Sequence, residues 1–423
     1  MISFPPRLHG LLEQVRTSIP GRPEGAIGAL RELVKECEGP GQLAYALEQL
    51  GFAHLLLGEH RLSEVFYEKV LALDPGNSYA LANLAHAVHE LGETEHAREL
   101  GRRAMRLKDE AATALAVPAA GRPHGGAKDV ISFSLFGDRA RYCETAVLNC
   151  EAAALHLPGF VCRFHVDATV PDTVLRRLRE RGAEVVAVSG AAAAFPGTFW
   201  RFLPLDDADL DRVLVRDVDS IVDAREAWCV EEWTRSGKPF HVIRDDCCHT
   251  ELILAGLFAA RSGVVRDVAG RIAGYLASLD GQPPGRYADQ LFLRTWVWPA
   301  VRGGIVTHDT VYGFGDDVRD VPADVGRGSL SIRNAFMGAN HANYVVRCQS
   351  PDPFPPGVQH RFRIVADVGA EVCEYGMERT SDRELQIGLP LSYRAKLESG
   401  AWRSEIIAVD PRDGRRSVVG GTT

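Results

Sequence analysis

Asp217 and Asp219, in Arg216-Asp217-Val218-Asp219-Ser220, close an apolar run that reads Val213-Leu214-Val215. In extended backbone an i, i+2 spacing turns both carboxylates to one side and Val218 to the other. Two hard oxygen ligands facing together suit Mg²⁺ or Mn²⁺ carrying a diphosphate and need no soft ligand. Upstream, Phe199-Trp200-Arg201-Phe202 precedes the acidic turn Asp206-Asp207-Ala208-Asp209. Arg201 is therefore either a cation for the phosphates or a partner of that turn. Asp245-Asp246 and His249 follow the apolar strand Phe240-His241-Val242-Ile243, where catalytic or acceptor-binding groups can sit. Asp289, in Tyr287-Ala288-Asp289-Gln290, reads as a helix N-cap that can serve a site as well. His308 ends the strand Gly304-Ile305-Val306-Thr307. Cys247-Cys248-His249 offers soft ligands, but adjacent cysteines splay apart in an extended chain, which argues against zinc there.

The elements that must position these groups can be read from periodicity. Val130 to Phe136 is a buried-strand run; Tyr142, Ala146, Cys150, Ala153 and Leu157 recur at helical spacing; Phe160 to Val166 is a second strand. Pro171 to Arg181 reads as a short helix and Ala183 to Val188 as a third strand. A βαβαβ succession calls for a parallel sheet with right-handed crossovers. Ligands of such sheets lie beyond the carboxyl ends of the strands, so Phe136, Gly137 and Asp167 are expected near a nucleotide. No GxGxxG fingerprint is present at those ends. Gly237-Lys238 continues with Pro239 rather than Ser or Thr, so a P-loop is absent too.

The N-terminal third repeats with a 34-residue period. Counted from Ala44 and again from Ser78, Leu47 falls over Leu81, Leu50 over Leu84, Gly51 over Ala85 and Gly58 over Gly92. Leu71-Ala72-Leu73-Asp74-Pro75 closes the first unit, in which Tyr67 holds an aromatic position. In the second unit Gly101 replaces that aromatic and Asp109 the proline. A degenerate earlier helix is expected over Ala26 to Glu36. Residues 117–127, rich in Pro, Gly and Ala, read as a linker. Beyond Val345, Phe362 to Ala366 and Ser404 to Val409 alternate like strands.

Composition narrows the function further. With 48 Lys+Arg against 56 Asp+Glu and a net charge of −8, the chain has no general field for nucleic acid or anionic membranes. The start, Met1 to Arg7, has no basic segment followed by an apolar one, and the run Leu252 to Ala260 is far short of a membrane span. A cytoplasmic protein without a membrane span is expected. The nine cysteines form no CxxC pair and read as reduced thiols.

In the residues just described the chain resembles two families. Residues 44–77 and, more weakly, 78–111 are similar to tetratricopeptide repeats. Residues 129–315, with the Asp217-x-Asp219 motif after a strand, resemble nucleotide-sugar glycosyltransferases of the GT-A type, the glycogenin and lipopolysaccharide galactosyltransferase group above all. Leu254-Ala255-Gly256 departs from that group's usual segment. The resemblance implies an α/β GT-A domain over 128–345, an all-α repeat domain over 1–116 and a small C-terminal β appendage over 346–423. It implies a metal-dependent hexosyltransferase, retaining rather than inverting. Asp217, Asp219 and His308 would hold Mn²⁺ or Mg²⁺. Arg201, Phe136, Gly137, Asp167 and Asp217 would bind the donor, a nucleotide-diphosphate sugar and a UDP-sugar before others. Asp289, Asp245 and Gln290 would lie at the chemistry. The acceptor would be a small molecule, glycan or peptide, with the repeats holding it or a protein partner, packing on the catalytic domain or pairing as a homodimer. Two other readings stand beside this one: a repeat scaffold carrying an inactive transferase-like domain, and a nucleotidyltransferase.

Overall fold

A computed structural model describes residues 4–19, 22–113, 117–325, 336–366 and 369–422. Met1 to Ser3, at the expected start, and residues 114–116, at the expected end of the repeat domain, lie outside the described residues. The chain divides into two compact units, and neither is a contiguous stretch of sequence.

Unit 1 comprises Met1–Ala119, His241–Leu254 and Gln290–Pro322. Its helices are α1 (His9–Ser18), α2 (Pro23–Lys35), α3 (Pro40–Leu56), α4 (His60–Leu73), α5 (Ser78–Glu90) and α6 (Thr94–Thr113). Gly58 and Gly92 take the left-handed conformation that each turn between paired helices requires, at φ 73° and 87°. The pairs α3/α4 and α5/α6 are the two units read from the 34-residue period, so the helical part is tetratricopeptide-like. Gly51 earns its place by a close approach, since a Cβ there would sit 3.0 Å from the Tyr67 ring. In the second unit Gly101 takes the ring of Tyr312 instead, a residue some two hundred positions downstream. The aromatic missing from the repeat is supplied by a distant segment.

Polar groups fix that segment to α6. Lys108, fully buried, donates to Glu251 Oε1 at 2.7 Å and to the Thr250 carbonyl at 2.9 Å. Arg294 reaches the same carboxylate at 2.6 and 3.1 Å. Trp298 Nε1 and Arg302 converge on Asp109, at 2.7 and 3.0 Å. Burial lowers the Lys108 pKa despite the opposing pull of Glu251. For Glu251 burial acts upward, but Lys108 and Arg294 outweigh it and hold the carboxylate low.

Unit 2 comprises Ala120–Phe240, Ala255–Asp289 and Ala323–Thr423. Its first strands are β1 (Lys128–Leu135), β2 (Val161–Val166), β3 (Glu184–Ala187) and β4 (Leu210–Arg216), with α7 (Ala140–His156) and α8 (Asp172–Glu180) between the first three and α9 (Ala224–Ser236) after β4. The strand β5 (Phe240–Arg244) carries the chain into unit 1, and β6 (Leu257–Arg261), α10 (Val268–Ala277) and the start of α11 (Ala288–Phe292) bring it back. The order β3-β2-β1-β4-β6 is parallel through β4 and antiparallel at β6, a mixed sheet. In unit 1, β5 neighbours β7 (Ile305–Asp309), which pairs parallel with β8 (Val318–Arg319). The carbonyl of Arg244 accepts from the N–H of Thr310, and the Arg244 guanidinium is buried against Asp309 at 3.0 Å.

Two sequence expectations change here. The linker is a docked strip: Gly121 N–H donates to Val264 at 2.8 Å, His124 N–H to Ser262 at 2.8 Å and Gly126 N–H to Leu210. Its glycines are needed because a Cβ at Gly121 or Gly126 would strike the backbone of Gly263 or Asp209. The C-terminal region carries β9 (Asn343–Gln349), β10 (Gln359–Ala366), β11 (Glu371–Gly376), β12 (Glu378–Ser381), β13 (Glu384–Pro390), β14 (Trp402–Val409) and β15 (Arg416–Thr422). These form two antiparallel sheets, β11-β10-β14-β15 and β12-β13-β9, and belong to unit 2 rather than standing apart as an appendage. The joint is Glu144 of α7. This buried carboxylate accepts from Tyr375 at 2.5 Å, from Tyr393, and from Arg177 at 2.6 and 2.8 Å.

Glu251→Ala leaves Lys108 and Arg294 without their counter-ion, and losing one member of a buried pair costs about 3–5 kcal/mol. Urea unfolding of the purified variant should show a loss of that order. A loss under about 1 kcal/mol, the scale of an exposed pair, would mean that the bridge is not what holds the downstream segment on α6.

Candidate functional site

The carboxyl ends of β1, β2 and β4 carry the polar groups of unit 2. At the end of β4 the chain does not stay extended. Val218 and Asp219 form a turn closed by the Ser220 N–H on the Asp217 carbonyl at 3.2 Å, so the expected pleat geometry for the Asp pair gives way to a tight bend. The bend is fixed from behind. Asn149 of α7 donates to the carbonyls of Val218 and Ser220 at 3.1 and 2.9 Å, and its own carbonyl accepts from Val222. The Asp219 carbonyl accepts from His341 N–H at 2.6 Å.

Two guanidiniums meet the pair. Arg201 lies on a 3₁₀-helical segment, Gly197–Asp206. It is 5% exposed and donates to Asp217 at 2.5 Å and to Asp289 at 2.8 Å. It therefore does not pair with the Asp206-Asp207 turn, whose carboxylates bind His124 and Arg163 instead. Arg141, in the first turn of α7, donates to Asp219 at 3.1 Å. The Nε atoms of Arg201 and Arg141 are buried, and both lack a partner. Three carboxylates thus face two guanidiniums, one negative charge in excess. Burial, then the neighbouring Asp217, raises the Asp219 pKa, with Arg141 opposing.

Gly256 closes one wall. Any Cβ there would overlap the Asp217 carboxylate, so the place of that side chain requires a glycine. On the other side Phe136 is half exposed, with its ring edge-on to Trp200 at 5.8 Å and against Gly197. Gly137 N–H donates to Thr169 Oγ1 at 2.6 Å, and Thr169 in turn donates to Asp167 at 2.5 Å. Phe136, Gly137, Asp167, Arg201, Asp217, Asp219 and Asp289 all belong to unit 2.

The remaining candidates belong to unit 1. His308 is fully buried on β7, with Nδ1 2.7 Å from His241 Nε2. Burial, aided by Arg319, lowers its pKa to about 4, so the ring is neutral at pH 7. The Asp245 side chain is buried beside His249, at 3.6 Å. Gln290 follows Asp289 in α11. Arg141 was missed in the sequence, and Trp200 was read only as part of the Phe199-Trp200-Arg201-Phe202 segment. An arginine in the first turn after the Phe136-Gly137 strand end was the available signal, because that turn starts at the sheet edge where ligands collect.

The cluster can bind a cation and an anion together. Paired hard oxygens with excess negative charge fit a divalent metal. Guanidiniums beside them fit phosphate oxygens, which they bind as charge-assisted donors. No family model matches the chain, and no curated protein matches it either. Solved structures similar to it include MamA, at 22% identity and TM-score 0.21 over 25% of this chain. The tetratricopeptide domain of Sgt2 from Aspergillus fumigatus matches at 17% and 0.23 over 25%, and a mutant of the Thermobaculum terrenum O-GlcNAc transferase at 16% and 0.23 over 44%. The matches span 66%, 68% and 42% of those three chains. The reading of the site rests on its own geometry. Among the described residues, no helix is long and apolar enough to cross a membrane.

A cation bound between these carboxylates would have to displace the proton from Asp219, whose raised pKa keeps that proton on to higher pH than an ordinary aspartate does. Mn²⁺ affinity should therefore weaken as pH falls, beginning above the usual carboxylate range. Calorimetric titration across pH 4 to 7.5 checks this, and a flat profile over that interval would contradict it.

Proposed function

We propose that unit 2 is a glycosyltransferase domain of the GT-A type that transfers a sugar from a nucleotide-diphosphate donor in a metal-dependent reaction. The observation that carries the proposal is the convergence of Asp217, Asp219 and Asp289 with Arg201 and Arg141 at the end of β4. The order β3-β2-β1-β4 with an antiparallel β6 supports it, as does the half-exposed Phe136 beside Trp200, a surface on which a nucleotide base can stack.

In this reading Asp217 and Asp219 hold Mn²⁺ or Mg²⁺, which when bound offsets the charge that builds on the departing nucleotide diphosphate. Arg141 and Arg201 donate to the phosphates, and Gly137 marks the nucleotide end of the site. Asp289, held by Arg201, orients the sugar through its hydroxyls. The repeats of unit 1 serve the acceptor or a protein partner, since stacked helical hairpins offer an extended surface. Retention of anomeric configuration belongs to the proposal, and proton NMR of the first-formed product reads it directly.

Incubation with a panel of nucleotide sugars, UDP-sugars first, should release nucleotide diphosphate only when Mn²⁺ or Mg²⁺ is present. Release of inorganic pyrophosphate would indicate nucleotidyl transfer instead, and no release across the panel would favour a scaffold. Asp219→Ala removes a ligand worth several kcal/mol of charge stabilisation, so the rate should fall roughly a hundredfold or more with an unchanged circular dichroism spectrum. Full turnover in excess EDTA would end the metal assignment.

A further inference from the structure

Unit 1 carries a second group of metal-binding side chains, unrelated in sequence to the Asp217 motif. His86 and Glu90 are one turn apart on α5, so both side chains leave the same helix face. Cys247, from the loop after β5, meets them there, and the ligand atoms of the three residues all lie within 4.8 Å of one another. His86 Nε2 is 4.0 Å from Glu90 Oε1.

Several features distinguish this group from a chance surface cluster. Its donors are graded from exposed Glu90 through partly buried His86 to buried Cys247, so an ion can enter at the carboxylate and finish on the thiolate. The backbone of Cys247 is held, because its carbonyl accepts from the buried Tyr312 hydroxyl, and the Tyr312 ring is seated on Gly101 of α6. Asp246 stands beside the thiol, 3.6 Å from Sγ, as a base for its proton. His60, His89 and Asp246 are near enough to act electrostatically on His86, and the buried Nδ1 atoms of His60 and His89 have no hydrogen-bond partner. Unsatisfied imidazole nitrogens around a thiol and a carboxylate are the donors that a transition metal would use.

We propose that His86, Glu90 and Cys247 form a transition-metal site, for which Zn²⁺ is the best-fitting ion. Thiolate and imidazole together disfavour Mg²⁺ and Ca²⁺, and a Cys-His-Glu set with a carboxylate matches tetrahedral zinc, with one position left for water or a nearby histidine. Binding breaks the S–H bond, and the proton leaves through Asp246 to solvent as the S–metal bond forms, with no change of oxidation state. The ion would tie α5 to the loop after β5, so the repeat face would be fixed to a segment that is otherwise held through α6.

The test uses Co²⁺ as a spectroscopic stand-in for zinc. The full chain is stripped with chelator under reducing conditions and titrated with Co²⁺, then with Zn²⁺ in competition. A saturable thiolate-to-cobalt charge-transfer band at one equivalent, displaced by Zn²⁺, is expected. The same band should persist in Asp219→Ala, which keeps this site independent of the carboxylate pair in unit 2. Cys247→Ser should abolish the band, and Glu90→Gln, an exposed change that leaves the fold intact, should weaken Co²⁺ binding at least tenfold, the least that disturbing even an outer partner costs. Loss or weakening in either variant supports the site. Absence of the band in the parent protein, or a band unchanged in both variants, overturns it.

Discussion

Arg201 is the constraint on which the organisation of unit 2 turns. A guanidinium that is 5% exposed is tolerable only with carboxylates at hand. It has two, and they come from different elements: Asp217 from the end of β4 and Asp289 from the start of α11. The 3₁₀ segment that carries Arg201 is anchored to β1 by Ser132, which donates to the Arg201 carbonyl, and by Ser134, which accepts from the Arg201 N–H. One residue therefore ties β1 to the end of β4 and the start of α11, the first through its backbone and the other two through its charge. The site inherits that order before any ligand arrives, and preorganised charge is the form in which a protein stabilises a developing anion most effectively.

Much of this was legible in the sequence because local rules governed it. The strands over Val130–Phe136 and Phe160–Val166, the short helix after Pro171 and the 34-residue repeat all follow from periodicity, and they appear with shifts of a residue or two at their ends. Asp217 and Asp219 were visible because a carboxylate pair closing an apolar strand is chemically conspicuous. The bend that brings them together was not, since it is set by Asn149 and His341, which are remote in sequence. Arg141 escaped for the same reason: its partner is 78 positions away. Gly101 looked like a defect of the repeat until the ring of Tyr312 explained it.

Domain boundaries were the least legible feature. Contiguous segments are the simplest inference from changes of composition, and the Pro-, Gly- and Ala-rich stretch near residue 120 marks such a change. Backbone hydrogen bonds to the start of β4 and to the segment just after β6 nevertheless hold that stretch as part of unit 2. Two later segments cross over to join the helices, and the buried Lys108–Glu251 pair, with Arg294 on the same carboxylate, fixes where they go together with the Tyr312 ring on Gly101. Charge pairs of this kind specify an arrangement more narrowly than a greasy surface does, because a mispaired buried charge is costly.

The placement of Lys108 has a consequence for how the chain is made. It emerges from the ribosome 143 residues before Glu251, an interval of roughly 7 to 30 s at ordinary elongation rates. Throughout that time α6 presents an uncompensated ammonium and the bare Gly101 face, with the residues that will cover them still unsynthesised. The helices can form early, but their last surface is completed only when Arg294 and Tyr312 arrive. Translation speed between residues 108 and 312, and any factor that shelters α6 meanwhile, should therefore govern the yield of native protein more strongly than changes in the first hundred residues themselves.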